Sequence, residues 1–591
     1  MGAGALVRPA SEIAPPANAA LAWTRRVAAV WAAAVLGMTL LVAADIFLFP
    51  LDMIDATLLR EDTPALLLSM LGVMLLLAVA RGAVTMPVPA WAAAVPSSAA
   101  ICCAALVLGV LLYAATRLYV PLSMDEVMAR FDAVIFSRGK VVAEVAPEWR
   151  AYVPALQWQF RVEAPDHAYW ASMYLPVNAA FRALSAHLGD QNLTSPAWAV
   201  VSLLALFGLA RRLWPERRDA AFLAVVLMAT SAQFLVTATT AFAMSAHLAL
   251  NLVWLCLFLG PGRASQAGSV VVGFLATGLH QLIFHPLFAA PFILTLWLQR
   301  RWTQAAVHTL AYAGIGLFWI SYWGFALPGA PTGEAGLELG PERWFAMALN
   351  LLTSFDITKT AWMIENLLRF ALWQSLLLVP LAALGLRAAW RGPVARNLAL
   401  GVLLTTVALW LLLPNQGFGW GYRYLHGFIG SLCLLAAYGW VAATERMTHE
   451  VRARATRVMA VAVVFSVVVL VPLRLQQAWA YTTPFAKARD AITRLNAEVV
   501  LIDDTGVFKA NILPENDPFL RASPKIMMLS GLTPADLERL CGDRSVALFD
   551  KAAAASVGLR TFDAKGKPAV LANRAVLRRL GCARDRVGTA R

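Results

Sequence analysis

"YVPLSMDEVMARFDAVIFSRG", residues 119–139, follows an apolar run long enough to cross a bilayer and sets Asp125 and Glu126 where hydrocarbon gives way to water. Ser123, three residues before Glu126, matches the S-x-x-E capping box. Val127, Phe131, Val134 and Ile135 then recur at helical spacing, so the stretch reads as a capped amphipathic helix lying on the membrane surface. A capping box uses one carboxylate, which explains Glu126 better than Asp125, and a second acid beside the headgroups calls for its own reason. Partial desolvation at that depth raises a carboxyl pKa and suits the group to taking a proton.

The chain around this stretch has 591 residues, 60% of them hydrophobic and 14% charged, with repeated apolar runs of bilayer length. It reads as an α-helical polytopic membrane protein. The net charge of +14 does not indicate nucleic acid, because the arginines fall in short segments between apolar runs, where they fix orientation. The N-terminal "MGAGALVRPASEIAPPANAALAWTRR" carries no short apolar region with a small-residue cleavage site, so the first run is expected to stay as an anchor.

About thirteen spans are expected by the ~20-residue criterion, near 27–49, 63–80, 97–118, 196–210, 219–239, 243–260, 267–283, 285–299, 305–326, 367–386, 398–413, 425–443 and 458–474. Arginines cluster on alternate connections, among them Arg25/Arg26, Arg211/Arg212, Arg300/Arg301 and Arg452/Arg454, which places those connections and the N-terminus in the cytoplasm. The segments 119–195, 327–366 and 414–426 and the tail from 475 then share the opposite face. In the tail, "AEVVLIDDTGVF" reads as a strand and turn, while "TPADLERLCGD" and "AVLANRAVLRRLGCA" read as helices, so residues 476–591 are expected to form a small α/β domain on that face. Cys541 and Cys582 are the only cysteine pair there, and an oxidising compartment could join them.

The acidic pair opening the first large loop ("MDEVMARFDAVIFSRGK"), two amphipathic stretches within 118–195, the "YLPVNAAF" run before the next span and the many-span body over 97–475 resemble the GT-C superfamily of polyprenyl-phosphate-sugar-dependent glycosyltransferases. The likeness is to its protein mannosyltransferase-like and aminoarabinose transferase-like branch. It implies transfer of a sugar from a polyprenyl-phosphate donor to a hydroxyl of a lipid, glycan or protein acceptor at the outer face of the membrane, and the Ala- and Arg-rich usage points to a bacterial inner membrane with the C-terminal domain periplasmic. It implies that the acid at Asp125 is the catalytic base, with Glu126 beside it as the other candidate. Some members also bind a divalent metal nearby. Residues 1–96, with two spans before the acidic loop, are an addition to the usual plan.

A departing polyprenyl phosphate is an anion that cations must stabilise. "PNQGFGWGYRYLHGFIG" supplies Arg423, Tyr424 and His426 on the same face as Asp125, and its glycines allow close approach of backbone to a ligand. The alternative is a tight turn with an aromatic belt and a snorkelling arginine. His280 and His285 in "GLHQLIFHP" are further phosphate candidates, although their spacing and Pro286 argue against a preformed two-histidine metal site, and helix–helix hydrogen bonding competes as their role. His247 and Asn251, four apart, suit interhelical bonding, and Trp344, Met347, Leu351 and Leu352 form another surface stripe. The competing functions are a transporter or lipid flippase, which needs charge along a midplane path, and a polysaccharide polymerase or ligase that works without a carboxylate base.

Overall fold

The structure, a computed structural model, describes residues 53–82, 95–157, 159–329, 357–390, 392–445 and 447–586, with a few positions between 29 and 37. Most of the expected span 27–49 and the whole stripe from Trp344 to Leu352 lie outside the described residues. The protein is a multi-pass membrane protein: Glu61–Arg81, Ser98–Leu118, Gln191–Leu213, Trp302–Ala326, Pro393–Leu412, Arg423–Thr444 and His449–Thr493 are each long and apolar enough to cross a bilayer. These match seven of the expected spans.

The other expected spans among the described residues depart from simple crossings, the one near 267–283 being the 16-residue helix Gly262–Thr277. Met244–Phe258 and Phe284–Leu298 are apolar but only 15 residues long, or about 22 Å of rise against a ~30 Å hydrocarbon layer. Two others are broken. The expected 219–239 divides into Arg218–Ala229 and Ala232–Thr237, and the expected 367–386 divides between Ile357–Leu372 and Leu378–Ala389. Irregular backbone within a membrane protein persists only where protein groups satisfy it, and the two breaks satisfy each other. The Gln233 amide donates to the Trp373 carbonyl at 3.1 Å, the Ser231 hydroxyl to Gln374 Oε1 at 2.8 Å, and Gln374 Nε2 to Gln233 Oε1 at 3.0 Å. Composition does not register these glutamine and serine interruptions, because the flanking residues are apolar enough to mask them.

Charge is buried among the helices as well. Asp62, in the span Glu61–Arg81, pairs with Arg369 Nε at 2.7 Å and Arg474 Nη1 at 2.6 Å and accepts from Trp373 Nε1 at 3.0 Å. Arg369 also donates to the Gly419 carbonyl at 3.2 Å. The helices Leu378–Ala389 and Ile429–Thr444 meet through glycine: a Cβ at Gly385 would stand 1.9 Å from the Leu435 carbonyl oxygen, and one at Gly439 would stand 2.3 Å from the Leu381 oxygen. Such contacts rest on backbone proximity. Gly385→Ala should therefore force the pair apart and cost about 1–3 kcal/mol, read as a lower thermal-unfolding midpoint in detergent; an unchanged midpoint would contradict the packing.

The last span continues as one helix of 45 residues, His449–Thr493, with a single π turn at Ser466–Leu470 just before Pro472, which has no backbone N–H to give. Beyond it stands a four-stranded parallel sheet, β4 Val499–Ile502, β5 Lys525–Met528, β6 Val546–Phe549 and β7 Ala583–Arg586, in the order β5-β4-β6-β7. All four residues of β4 are buried, as a central parallel strand requires. A disulfide joins Cys541 to Cys582.

The first large loop carries the helix Met124–Ser137 and a small antiparallel sheet of β1 Ala143–Glu144, β2 Arg161–Glu163 and β3 Tyr169–Ser172, in the order β1-β3-β2. The helix does not lie on lipid. Val127, Phe131 and Ile135 are buried in protein, with Phe131 edge-on to Trp170 at 5.2 Å, and the C-terminal domain roofs the loop through Arg130–Glu515 at 3.3 Å and Trp170 Nε1 to the Pro518 carbonyl at 2.7 Å. An amphipathic stripe specifies an apolar neighbour without saying whether it is lipid or protein.

Candidate active site

The site is assembled where the first loop, the turn at 278–280, the segment 414–428 and the C-terminal domain meet at one end of the bundle. Its base is the start of the helix Met124–Ser137, where Ser123 Oγ accepts from the Glu126 amide at 3.4 Å. Only this half of the expected capping box forms. The Glu126 carboxylate passes Ser123 and accepts instead from the Leu122 amide at 3.0 Å, the Ala241 amide at 3.1 Å and the Tyr119 hydroxyl at 3.1 Å. Ala241 lies in the non-helical stretch after the broken span, so its N–H lacks a helical partner and a buried acceptor is drawn to it. Glu126 thus ties the loop to the break. Burial pushes its carboxyl up to about 7 despite these donors. Glu126→Gln offers one acceptor oxygen where two are used, so a buried N–H is left unpaired at a cost of about 1–3 kcal/mol. The expected result is a lower unfolding midpoint, and an unshifted one would refute the role.

Asp125 turns the other way. Its Oδ1 accepts from the Tyr174 hydroxyl at 2.6 Å, its Oδ2 is in direct ion pair with Arg423 Nη1, and His280 Nε2 stands 3.7 Å from that same oxygen. The Tyr174 ring stacks on the His280 ring with centroids 4.1 Å apart. Burial would raise the Asp125 carboxyl, but the Arg423 charge, with His280 and the Tyr174 hydroxyl, holds it below its ordinary 3.8. Asp125 is ionised at neutral pH.

Arg423 is aimed by its own loop. Its Nη2 donates to the Gln416 carbonyl at 2.8 Å, its backbone N–H donates to Gln416 Oε1 at 3.0 Å, and its guanidinium lies over the rings of Phe242 at 5.0 Å and Tyr424 at 4.9 Å. Gly421, at φ 65°, turns the chain where a Cβ would collide with Gln233 Oε1. Beside Arg423 lies a small cavity lined by Met244, His247, Asn251, Phe284 and Tyr424, of about 10 Å³, room for one water.

No protein-family model matches the chain, and no curated protein matches it. Among solved structures it is similar to ArnT from Cupriavidus metallidurans bound to undecaprenyl phosphate, at 12% identity and a TM-score of 0.47, covering 73% of this chain and 86% of that one. It is similar to ArnT from the same organism in the apo state at 14% identity and a TM-score of 0.45, covering 73% and 85%.

Of the residues singled out in the sequence, Asp125, Arg423, Tyr424 and His280 come together. His285 does not join them: it is buried between Asn251 Oδ1 at 2.8 Å and the Tyr312 hydroxyl at 2.7 Å, where it binds helices to one another. Asn251 also donates to the Gly427 carbonyl at 3.1 Å. His426 is fully buried outside the cavity lining, with neither ring nitrogen bonded among the described residues. Tyr174 and Gln416 are site residues that no local pattern marks. A metal does not fit this arrangement, because among the described residues no three His, Cys, Asp or Glu side chains converge and the Arg423 guanidinium already faces the Asp125 oxygen.

Proposed function

We infer that the protein is a glycosyltransferase that moves a sugar from a polyprenyl-phosphate-linked donor to an acceptor hydroxyl at the outer face of the membrane, with Asp125 as general base. The observation that carries this reading is the ion pair of Asp125 and Arg423, a base and a phosphate-binding cation brought from positions 298 residues apart to one buried point at the end of the spans. The sequence likeness of 97–475 to the GT-C transferases supports it. The pair also supplies a switch. A donor phosphate competes for the guanidinium, and once Arg423 turns to it Asp125 loses the charge that lowers its pKa, leaving burial to raise it toward a useful base. Binding of the donor then prepares the base.

In the transfer itself, the acceptor oxygen attacks the sugar C1 from the face opposite the phosphate as its proton passes to an Asp125 oxygen. The C1–O bond to phosphate breaks and polyprenyl phosphate leaves as an anion beside Arg423, with His280 and Tyr424 within reach. Glu126, bound to two backbone amides, keeps the helix start in place, and His285 and His426 have no part in the step. The arginine distribution supports an orientation with this end of the bundle and the C-terminal domain on the non-cytoplasmic side, which for a bacterial inner membrane is the periplasm. The test is to incubate the purified full-length protein with a panel of polyprenyl-phosphate sugars and measure released polyprenyl phosphate. Release by wild type but not by Asp125→Asn supports the reading; release by neither, across the panel and with lipid, glycan and protein acceptors, overturns it.

A further inference from the structure

Lys509 lies on the turn after β4 in the C-terminal domain, in left-handed backbone at φ 52°, a conformation that costs a non-glycine residue energy and persists where the surroundings impose it. Its ammonium reaches out of its own domain. It donates to the Leu122 carbonyl at 3.3 Å, just ahead of the helix that carries Asp125, and stands 3.6 Å over the Phe418 ring, in the loop that carries Arg423. That bond to Leu122 is its one hydrogen bond among the described residues, and no carboxylate lies within ion-pair distance of it there. Burial and the nearby Arg423 charge push its pKa well below the ordinary lysine value, so the protein has placed a cation where its neighbours make a positive charge costly.

Lys509 and Arg423 flank the same short piece of chain. Gly419 is pressed against the Arg423 side chain, 2.9 Å from its Cδ by the position a Cβ would take, while the adjacent Phe418 ring lies under Lys509. Tyr481 and Phe508, 5.9 and 6.0 Å from the ammonium, line a cavity of about 300 Å³, which is within the size range of ligand pockets. Glu61 and Arg560 also line that cavity. Arg423 is already matched by Asp125, whereas the Lys509 amine has no carboxylate partner among the described residues and keeps N–H donors to offer.

We propose that Lys509 is a second phosphate-binding cation for the lipid-linked donor, so that the C-terminal domain forms part of the donor site. This rests on the transferase reading and adds a residue and a domain to it. A phosphate bridging Arg423 and Lys509 would hold the half-buried amine protonated and fill its free donors. It would also join the first loop, the 414–428 segment and the C-terminal domain around one anion.

The test uses the full-length protein in nanodiscs, with undecaprenyl phosphate and undecaprenol as probes and Lys509→Met as the main variant, since methionine keeps an apolar stem over Phe418. Wild type should prefer the phosphate over the alcohol. Lys509→Met should lose roughly ten- to hundredfold in affinity for the phosphate, bind the alcohol as wild type does, and unfold at an equal or higher temperature because a buried charge is gone. Lys509→Arg should recover part of the loss. Equal phosphate affinity in wild type and Lys509→Met, with the preference for phosphate intact, overturns the role of Lys509 alone. Absence of any preference in wild type overturns the transferase reading beneath it. A loss of alcohol binding equal to that of phosphate would make Lys509 a packing residue and also refute the proposal.

Discussion

Asp125→Asn should lower turnover by about 10²–10⁴-fold, the usual contribution of a positioned general base, while donor affinity is kept or rises. Asparagine occupies the same space and can still accept from the Tyr174 hydroxyl, which donates to Asp125 at 2.6 Å, but it cannot take the acceptor's proton. It also sets Arg423 free of its ion pair, so a donor phosphate meets the guanidinium without competition. The loss therefore falls on kcat, and KM for the donor stays level or drops. Glu126→Gln makes the opposite pattern, with stability lost and turnover of the folded fraction kept. Turnover of Asp125→Asn within about tenfold of wild type, or a loss confined to KM, would remove Asp125 from the base role.

Asp62→Ala should destabilise the bundle by about 3–5 kcal/mol, the cost of deserting buried charges. Two guanidiniums, of Arg369 and Arg474, each about 2% exposed or less, would lose their one shared carboxylate. The test that separates charge desertion from simple cavity formation is the triple variant Asp62→Ala, Arg369→Met, Arg474→Met, which removes the whole ionic group and should recover most of the unfolding midpoint lost by the single change. A triple variant no more stable than Asp62→Ala would contradict the argument. Because Arg369 also holds the Gly419 carbonyl at 3.2 Å, the single variant should weaken phosphate binding at Arg423 as well.

How far the sequence reveals this molecule depends on the range of each signal. The helix at 124–137 is legible because its cap, its acid and its apolar period lie within 14 residues, and seven spans are legible because bilayer crossing imposes one length and one composition. Arg423 is legible as an arginine in a short connection between spans, on the side opposite the short connections where arginines cluster. The broken spans around Ser231 and Gln374 are not, since hydropathy averages over the few polar residues whose cross-bonding makes the breaks. Tyr174 and Lys509 are illegible for a different reason: each acts through a contact far away in the chain, Lys509 on Leu122 across 387 residues. Asp62, Arg369 and Arg474 were within reach of a simple rule, that ionisable residues inside apolar runs seldom stand alone, and their meeting confirms that rule.

The helix His449–Thr493, continuous through its π turn, has a mechanical consequence. A rod of 45 residues, some 68 Å long at the usual rise, is long enough to cross the bilayer and extend well beyond it, and near its end Arg489 donates to the Pro121 carbonyl at 3.0 Å. Hydrophobic mismatch sets the tilt of such a rod, and here its far end bears on the residues leading into the Asp125 helix. A change of bilayer thickness that tilts this helix should therefore shift Pro121 and the proposed base Asp125 with it, the helix serving as the lever between them.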